Sequence, residues 1–112
     1  MRSFGYAIRG VGLMLALQAN ARIHALATVV VVALGFVLGL ERWEWCAVTG
    51  AIGLVWAAEG FNTALEALTD LVSPGAHPLA GRAKDIAAGA VLCAALAAAV
   101  IGLIVFLPHV IP

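Results

Sequence analysis

The chain has 112 residues, which suits a single domain, and 64% of them are apolar. Soluble domains hold about 45–50% apolar residues, so this composition, with a mean hydropathy of +1.10, describes an integral membrane protein. Six basic and six acidic residues give a net charge of zero, which offers no bulk attraction for nucleic acid or an acidic partner.

Residues 1–22 make a surface helix and a hinge. Phe4, Ile8, Val11 and Leu15 recur at helical spacing, flanked by Arg2 and Arg9, and predict an amphipathic helix lying on the membrane surface. Arg9 and three glycines interrupt the apolar run and no small-residue cleavage site follows, unlike a signal peptide. Gln18-Ala-Asn-Ala-Arg-Ile-His24 reads as a polar hinge. The first membrane helix is expected over 23–40. Its Gly35 and Gly39 form a GxxxG, a pattern common in apolar sequence that carries little weight. Glu41-Arg-Trp-Glu-Trp45 reads as a charged turn whose tryptophans suit a membrane–water interface. A second membrane helix is expected over 45–72. Ser73-Pro-Gly-Ala-His-Pro78 then breaks the chain. The third runs over 79–107, polar to Asp85 and then free of charge from 86 to 107. Its alanines suit close helix packing. Cys46 and Cys93 lack CxxC spacing and read as small buried hydrophobes.

Lysine and arginine placement sets the orientation. With the N-terminus cytoplasmic, that side carries Arg2, Arg9, Arg22, Arg82 and Lys84, and the far side only Arg42. From Trp45 to Glu66 a helix rises about 31 Å. Glu66 and Asp70 therefore belong at the cytoplasmic interface, with Glu59 about two turns deeper.

Glu59, Asn62, Glu66 and Asp70 fall at i, i+3, i+7 and i+11, on one helical face. Each charge at a bilayer centre costs about 2.5–3.5 kcal/mol on insertion scales, which marks this face as functional. There is no Walker A pattern and no supported Ser/His/Asp or Cys/His arrangement. Carboxylates can share Mg²⁺ with phosphates. A lysine is a point-charge phosphate binder, and a deep carboxylate can take a proton from a membrane-held hydroxyl. These are parts of a phosphoryl-transfer site. A proton or ion relay, the other class of reading, needs carboxylates across the whole bilayer. The first half of the second span and nearly all of the third lack them. Lys84 at a helix start also suits a positive-inside anchor. His24 and His77 read as hydrogen-bonded interface residues, and His109 as an exposed end.

Glu59-x-x-Asn62-Thr-Ala-x-Glu66-x-x-x-Asp70, His77-Pro-Leu-Ala and Ala83-Lys-Asp85-x-Ala-Ala-Gly-Ala-Val-Leu92 resemble the bacterial membrane diacylglycerol kinase and undecaprenol kinase family. The resemblance extends through Tyr6, Arg9-Gly10 and Asn20-x-Arg-Ile-His24, over nearly the whole chain. It implies an all-α integral membrane lipid kinase with three transmembrane helices and a surface helix. It also implies a homotrimer with composite sites, using ATP and Mg²⁺ at the cytoplasmic face of the bacterial inner membrane. By position, Glu59 resembles the catalytic base, Glu66 a metal ligand, and Asn62 the amide supporting base and γ-phosphate. Lys84 resembles the phosphate-contacting lysine and Asp85 the nucleotide-contacting acid beside it. Tyr6 and Arg9 fall in the segment approaching the nucleotide. Asp70 matches a polar position of less defined role.

Gln18 departs from the family pattern, which has a metal-binding glutamate there. An amide still coordinates Mg²⁺ but brings no charge. The resemblance thus leaves two outcomes, an active kinase or a catalytically weak or silent homologue. Thr63, the Leu-Val-Ser-Pro run and His-Pro-Leu-Ala resemble the undecaprenol branch, while Gly81-Arg-Ala-Lys-Asp also occurs in the diacylglycerol branch.

Overall fold

A computed structural model describes residues 2–111. Its regular elements are helices, in the order α1 (Arg2–Leu17), α2 (Ala19–Leu38), α3 (Arg42–Val72) and α4 (Pro78–Val110). Large apolar side chains dominate the outer surface: Phe36, Val37, Phe61 and Leu71 are each more than 70% exposed. Water disfavours such a surface and lipid does not. Among the described residues, α2 and α4 are long and apolar enough to cross a membrane. The expectation of three spanning helices is thus met by length and composition for two. α3 is longer than α2, but its polar face lowers its hydropathy.

The expected hinge over 18–24 contracts to one residue. Gln18 alone is extended (φ −116°, ψ 119°), and α2 begins at Ala19. The polar residues after it are compatible with helix because Asn20 and Arg22 face outward. Arg22 turns back so that Nη1 donates to the carbonyls of Leu15 and Ala16, both at 3.3 Å. A cation thereby satisfies carbonyls left open at the end of α1. Met14 of α1 rests on Gly60 of α3, where an added Cβ would come within 3.4 Å of its sulfur.

α2 ends at Gly39, whose φ of 70° is left-handed and suits glycine. Gly35 serves a different purpose: a Cβ there would lie 2.6 Å from the Trp45 ring. The two glycines of the GxxxG thus make a cap and a seat for tryptophan. α3 begins three residues before the expected boundary, because Glu41-Arg-Trp-Glu-Trp45 winds into its first turn. The Glu41 N–H donates to Glu44 Oε1 at 2.9 Å, and Trp43 Nε1 donates to Glu41 Oε2 at 2.9 Å. Leu40, Val48 and Val105 form the buried apolar cluster at this end, joining α3 to the last turns of α4.

At the other end, Ser73 caps α3 and Pro78 opens α4. His77 Nδ1 accepts from the Leu79 N–H at 3.1 Å, which makes it a helix cap. Antiparallel α3 and α4 pack along much of their length, with α2 against α3. Cys46 and Cys93 are free and exposed rather than buried, because they lie on the outward faces of their helices.

Candidate functional site

The site is built on the second half of α3, where helical spacing brings the polar residues to one side. Glu59 is only 1% exposed, and neither of its carboxylate oxygens has a hydrogen-bond partner. Its ionic neighbour is His24, reaching from α2 with Nε2 3.4 Å from Oε2. Thr63 binds the Glu59 backbone carbonyl at 3.0 Å, leaving the carboxylate free. A buried polar group without a partner is expensive and calls for an explanation.

One turn on, Asn62 Nδ2 donates to Glu66 Oε1 at 3.3 Å. Asn62 Oδ1 is buried without a partner. Glu66 is half-buried. A carboxylate and an amide with an orphaned oxygen thus lie one turn apart, and both oxygens are hard donors. Among the described residues no group of three or more His, Cys, Asp and Glu side chains could hold a metal ion. An all-protein cage is therefore not formed. The pair does fit Mg²⁺, which keeps water and substrate phosphates in its shell and needs one or two protein carboxylates.

Lys84, near the start of α4, donates to Asp70 Oδ1 at 2.6 Å. The face on α3 and the cation on α4 are thereby joined at one end of the bundle. The remaining sequence-expected residues stand apart. Tyr6 is 64% exposed, Arg9 and Asp85 are exposed, and the Gln18 side chain makes no capping hydrogen bond. Among the described residues no hydrogen bond or ion pair connects these four to Glu59, Asn62, Glu66 or Lys84.

Residues 5–106 match the family model described as prokaryotic diacylglycerol kinase. The chain belongs to that family. Among its relatives, the undecaprenol kinase of Bacillus subtilis (strain 168) is 40% identical over 96% of this chain and 87% of its own length. The diacylglycerol kinase of a Synechocystis species is 44% identical over 95% of this chain, which spans 61% of that longer protein. The diacylglycerol kinase of Escherichia coli (strain K12) is 28% identical over 97% of this chain and 89% of its own length. These relatives are lipid kinases, so this member of the prokaryotic diacylglycerol kinase family is an enzyme of that class, with apolar helices suited to the membrane.

Three contacts in this family member were not expected from sequence. His24 meets Glu59, Asp70 holds Lys84, and His109, at the exposed end of α4 as expected, reaches Glu44. His109 Nε2 lies 2.9 and 3.1 Å from the two oxygens of Glu44, itself 5% exposed. The Glu41 N–H, the largest influence, and then the His109 ring hold the Glu44 carboxyl below its ordinary range, against the effect of burial. A signal for this last pair did exist. Glu44 and His109 close the same end of two antiparallel helices, and each is a polar residue beside a long apolar run.

Proposed function

We propose that this protein phosphorylates a membrane lipid alcohol from ATP, with Mg²⁺, at the cytoplasmic interface. In this reading α2, α3 and α4 all span the bacterial inner membrane, the N-terminus is cytoplasmic and α1 lies on the surface. The observation that carries it is Glu59: a buried carboxylate with no hydrogen bond to either oxygen is kept for a group that arrives. A substrate hydroxyl supplies that partner. Its proton passes to Glu59, its oxygen bonds to the γ-phosphorus, and the bond from that phosphorus to the β–γ bridging oxygen breaks, releasing ADP.

Glu66 and Gln18 would hold Mg²⁺ together with the ATP phosphates. Bound there, the ion would neutralise phosphate charge. Asn62 directs an unsatisfied amide oxygen into the same region and orients Glu66 through its N–H. Lys84 exchanges its Asp70 partner for a phosphate oxygen. Both are charge-assisted contacts, and the Asp70 pair is exposed, so the exchange costs little. Tyr6, Arg9 and Asp85 would contact the nucleotide. The separation of these three and of Gln18 from the α3 face within one chain is what composite sites in a homotrimer would leave, and the trimer is part of this proposal.

Undecaprenol is the favoured acceptor. Support comes from the Bacillus subtilis relative, which this chain matches over most of both lengths, and from Thr63 and the His77-Pro-Leu-Ala run. Diacylglycerol is the second candidate, on the strength of the other relatives. Purified protein in mixed micelles, given ATP with undecaprenol or diacylglycerol, should consume ATP only when lipid and Mg²⁺ are both present, and faster with undecaprenol. Lipid-independent hydrolysis, or no turnover with either alcohol, contradicts the reading. A weak or silent kinase is the alternative that Gln18 supports, since an uncharged amide stands where a metal-binding glutamate is expected. Turnover restored only by Gln18→Glu would establish it.

A further inference from the structure

We propose that His24 is the positioning residue for Glu59. This rests on the reading of Glu59 as the base. A glutamate's last torsion is broad and roughly two-fold, so a carboxylate with no hydrogen bond has no preferred plane. His24 Nε2, 3.4 Å from Oε2, is the polar group placed to supply one. A small rotation of either side chain closes the gap to a hydrogen bond. Donation from Nε2–H to Oε2 then fixes the carboxylate and leaves Oε1 for the substrate hydroxyl. A base held by a third group is a recurring arrangement in nucleophile activation.

The fold builds this approach deliberately. Thr28 Oγ1 donates to the His24 carbonyl at 2.7 Å and accepts from Trp56 Nε1 at 3.0 Å. Trp56 lies three residues before Glu59 on α3. That chain of hydrogen bonds locks α2 and α3 in the register that sets His24 opposite Glu59. His24 also lines a groove of about 380 Å³ between α2, α3 and α4. The groove is otherwise walled mainly by aliphatic residues such as Val31, Val55 and Ala98, and among the described residues His24 is its one titratable lining residue. His24 therefore both lines an apolar groove and approaches the buried carboxylate.

The test compares wild type, His24→Leu and His24→Gln in micelles with ATP, Mg²⁺ and undecaprenol, following kcat, the KM for ATP and the melting temperature. His24→Leu should lower kcat at least about tenfold, the scale of a misplaced reacting group, with the KM for ATP unchanged. His24→Gln, whose amide N–H can reach Oε2, should recover most of that loss. Wild-type kcat in His24→Leu overturns the proposal. So does an equal loss in both variants with a matching fall in melting temperature. If His24→Leu does not fold, His24→Asn takes its place: its amide is too short to span the gap, so a low kcat supports the proposal and a wild-type kcat overturns it. An active wild type with an indifferent His24 overturns this proposal alone. A wild type that phosphorylates no lipid alcohol overturns the reading of Glu59 and this proposal with it.

Discussion

α3 carries two buried glutamates, each facing a histidine from another helix, and the two are in opposite conditions. Glu44 is satisfied: the Glu41 N–H binds one oxygen and His109 Nε2 reaches both. Glu59 is more deeply buried, yet His24 stops at 3.4 Å and neither oxygen has a hydrogen bond. Both are buried, so burial alone does not separate a structural acid from a chemical one. Satisfaction does. The Glu44 end closes the bundle over the Leu40, Val48 and Val105 cluster. The Glu59 end keeps an acceptor open.

The largest expected effect comes from exchanging the two acids' fates. Glu59→Gln should lower turnover by about 10²–10⁴-fold, the usual share of a general base. Its melting temperature should stay near wild type, because no hydrogen bond to the carboxylate is lost. Glu44→Gln should do the reverse, keeping turnover and melting earlier. The pH dependence follows with its sign. The folded Glu44 pKa lies below its ordinary value of 4.5, so its stabilisation is present above that value and is lost as pH falls through the lower folded one. A melting curve recorded from pH 6 downward (about the range where carboxylates titrate) should show this acid limb in wild type and a weaker one in Glu44→Gln.

Gly35→Ala sharpens the same contrast from the packing side. The new methyl meets the Trp45 ring at 2.6 Å, so about 1–3 kcal/mol of stability should go while turnover in the intact fraction persists. Denaturant titration beside an activity assay checks it. Gln18→Glu acts at the other end and should lower the Mg²⁺ needed for half-maximal rate several-fold; an unchanged metal titration would show that Gln18 lies outside the metal shell. The smallest effect is expected from Asp70→Asn. It frees an exposed lysine, so the KM for ATP should shift by less than about fivefold.

The chain disclosed its helices through two plain signals, long apolar runs and the Pro74-Gly75 and Pro78 break. It disclosed the α3 face because Glu59, Asn62 and Glu66 follow the helical period within one element. What it withheld were contacts between elements. His24 reaches Glu59 only because Thr28 and Trp56 fix the register of α2 on α3, and no spacing in one segment encodes that. His109 lies 65 positions from Glu44. The hinge contracts for a related reason: Asn20 and Arg22 are polar, but on a helix they simply face out, and only Gln18 leaves the helical backbone.

Of the two buried acids, the one without a hydrogen bond does the chemistry. This is tested most directly by measuring γ-phosphate transfer from ATP to undecaprenol with Glu59→Gln and Glu44→Gln protein side by side, each confirmed folded. Transfer should be near background for Glu59→Gln and near wild type for Glu44→Gln. Wild-type transfer by folded Glu59→Gln would contradict it.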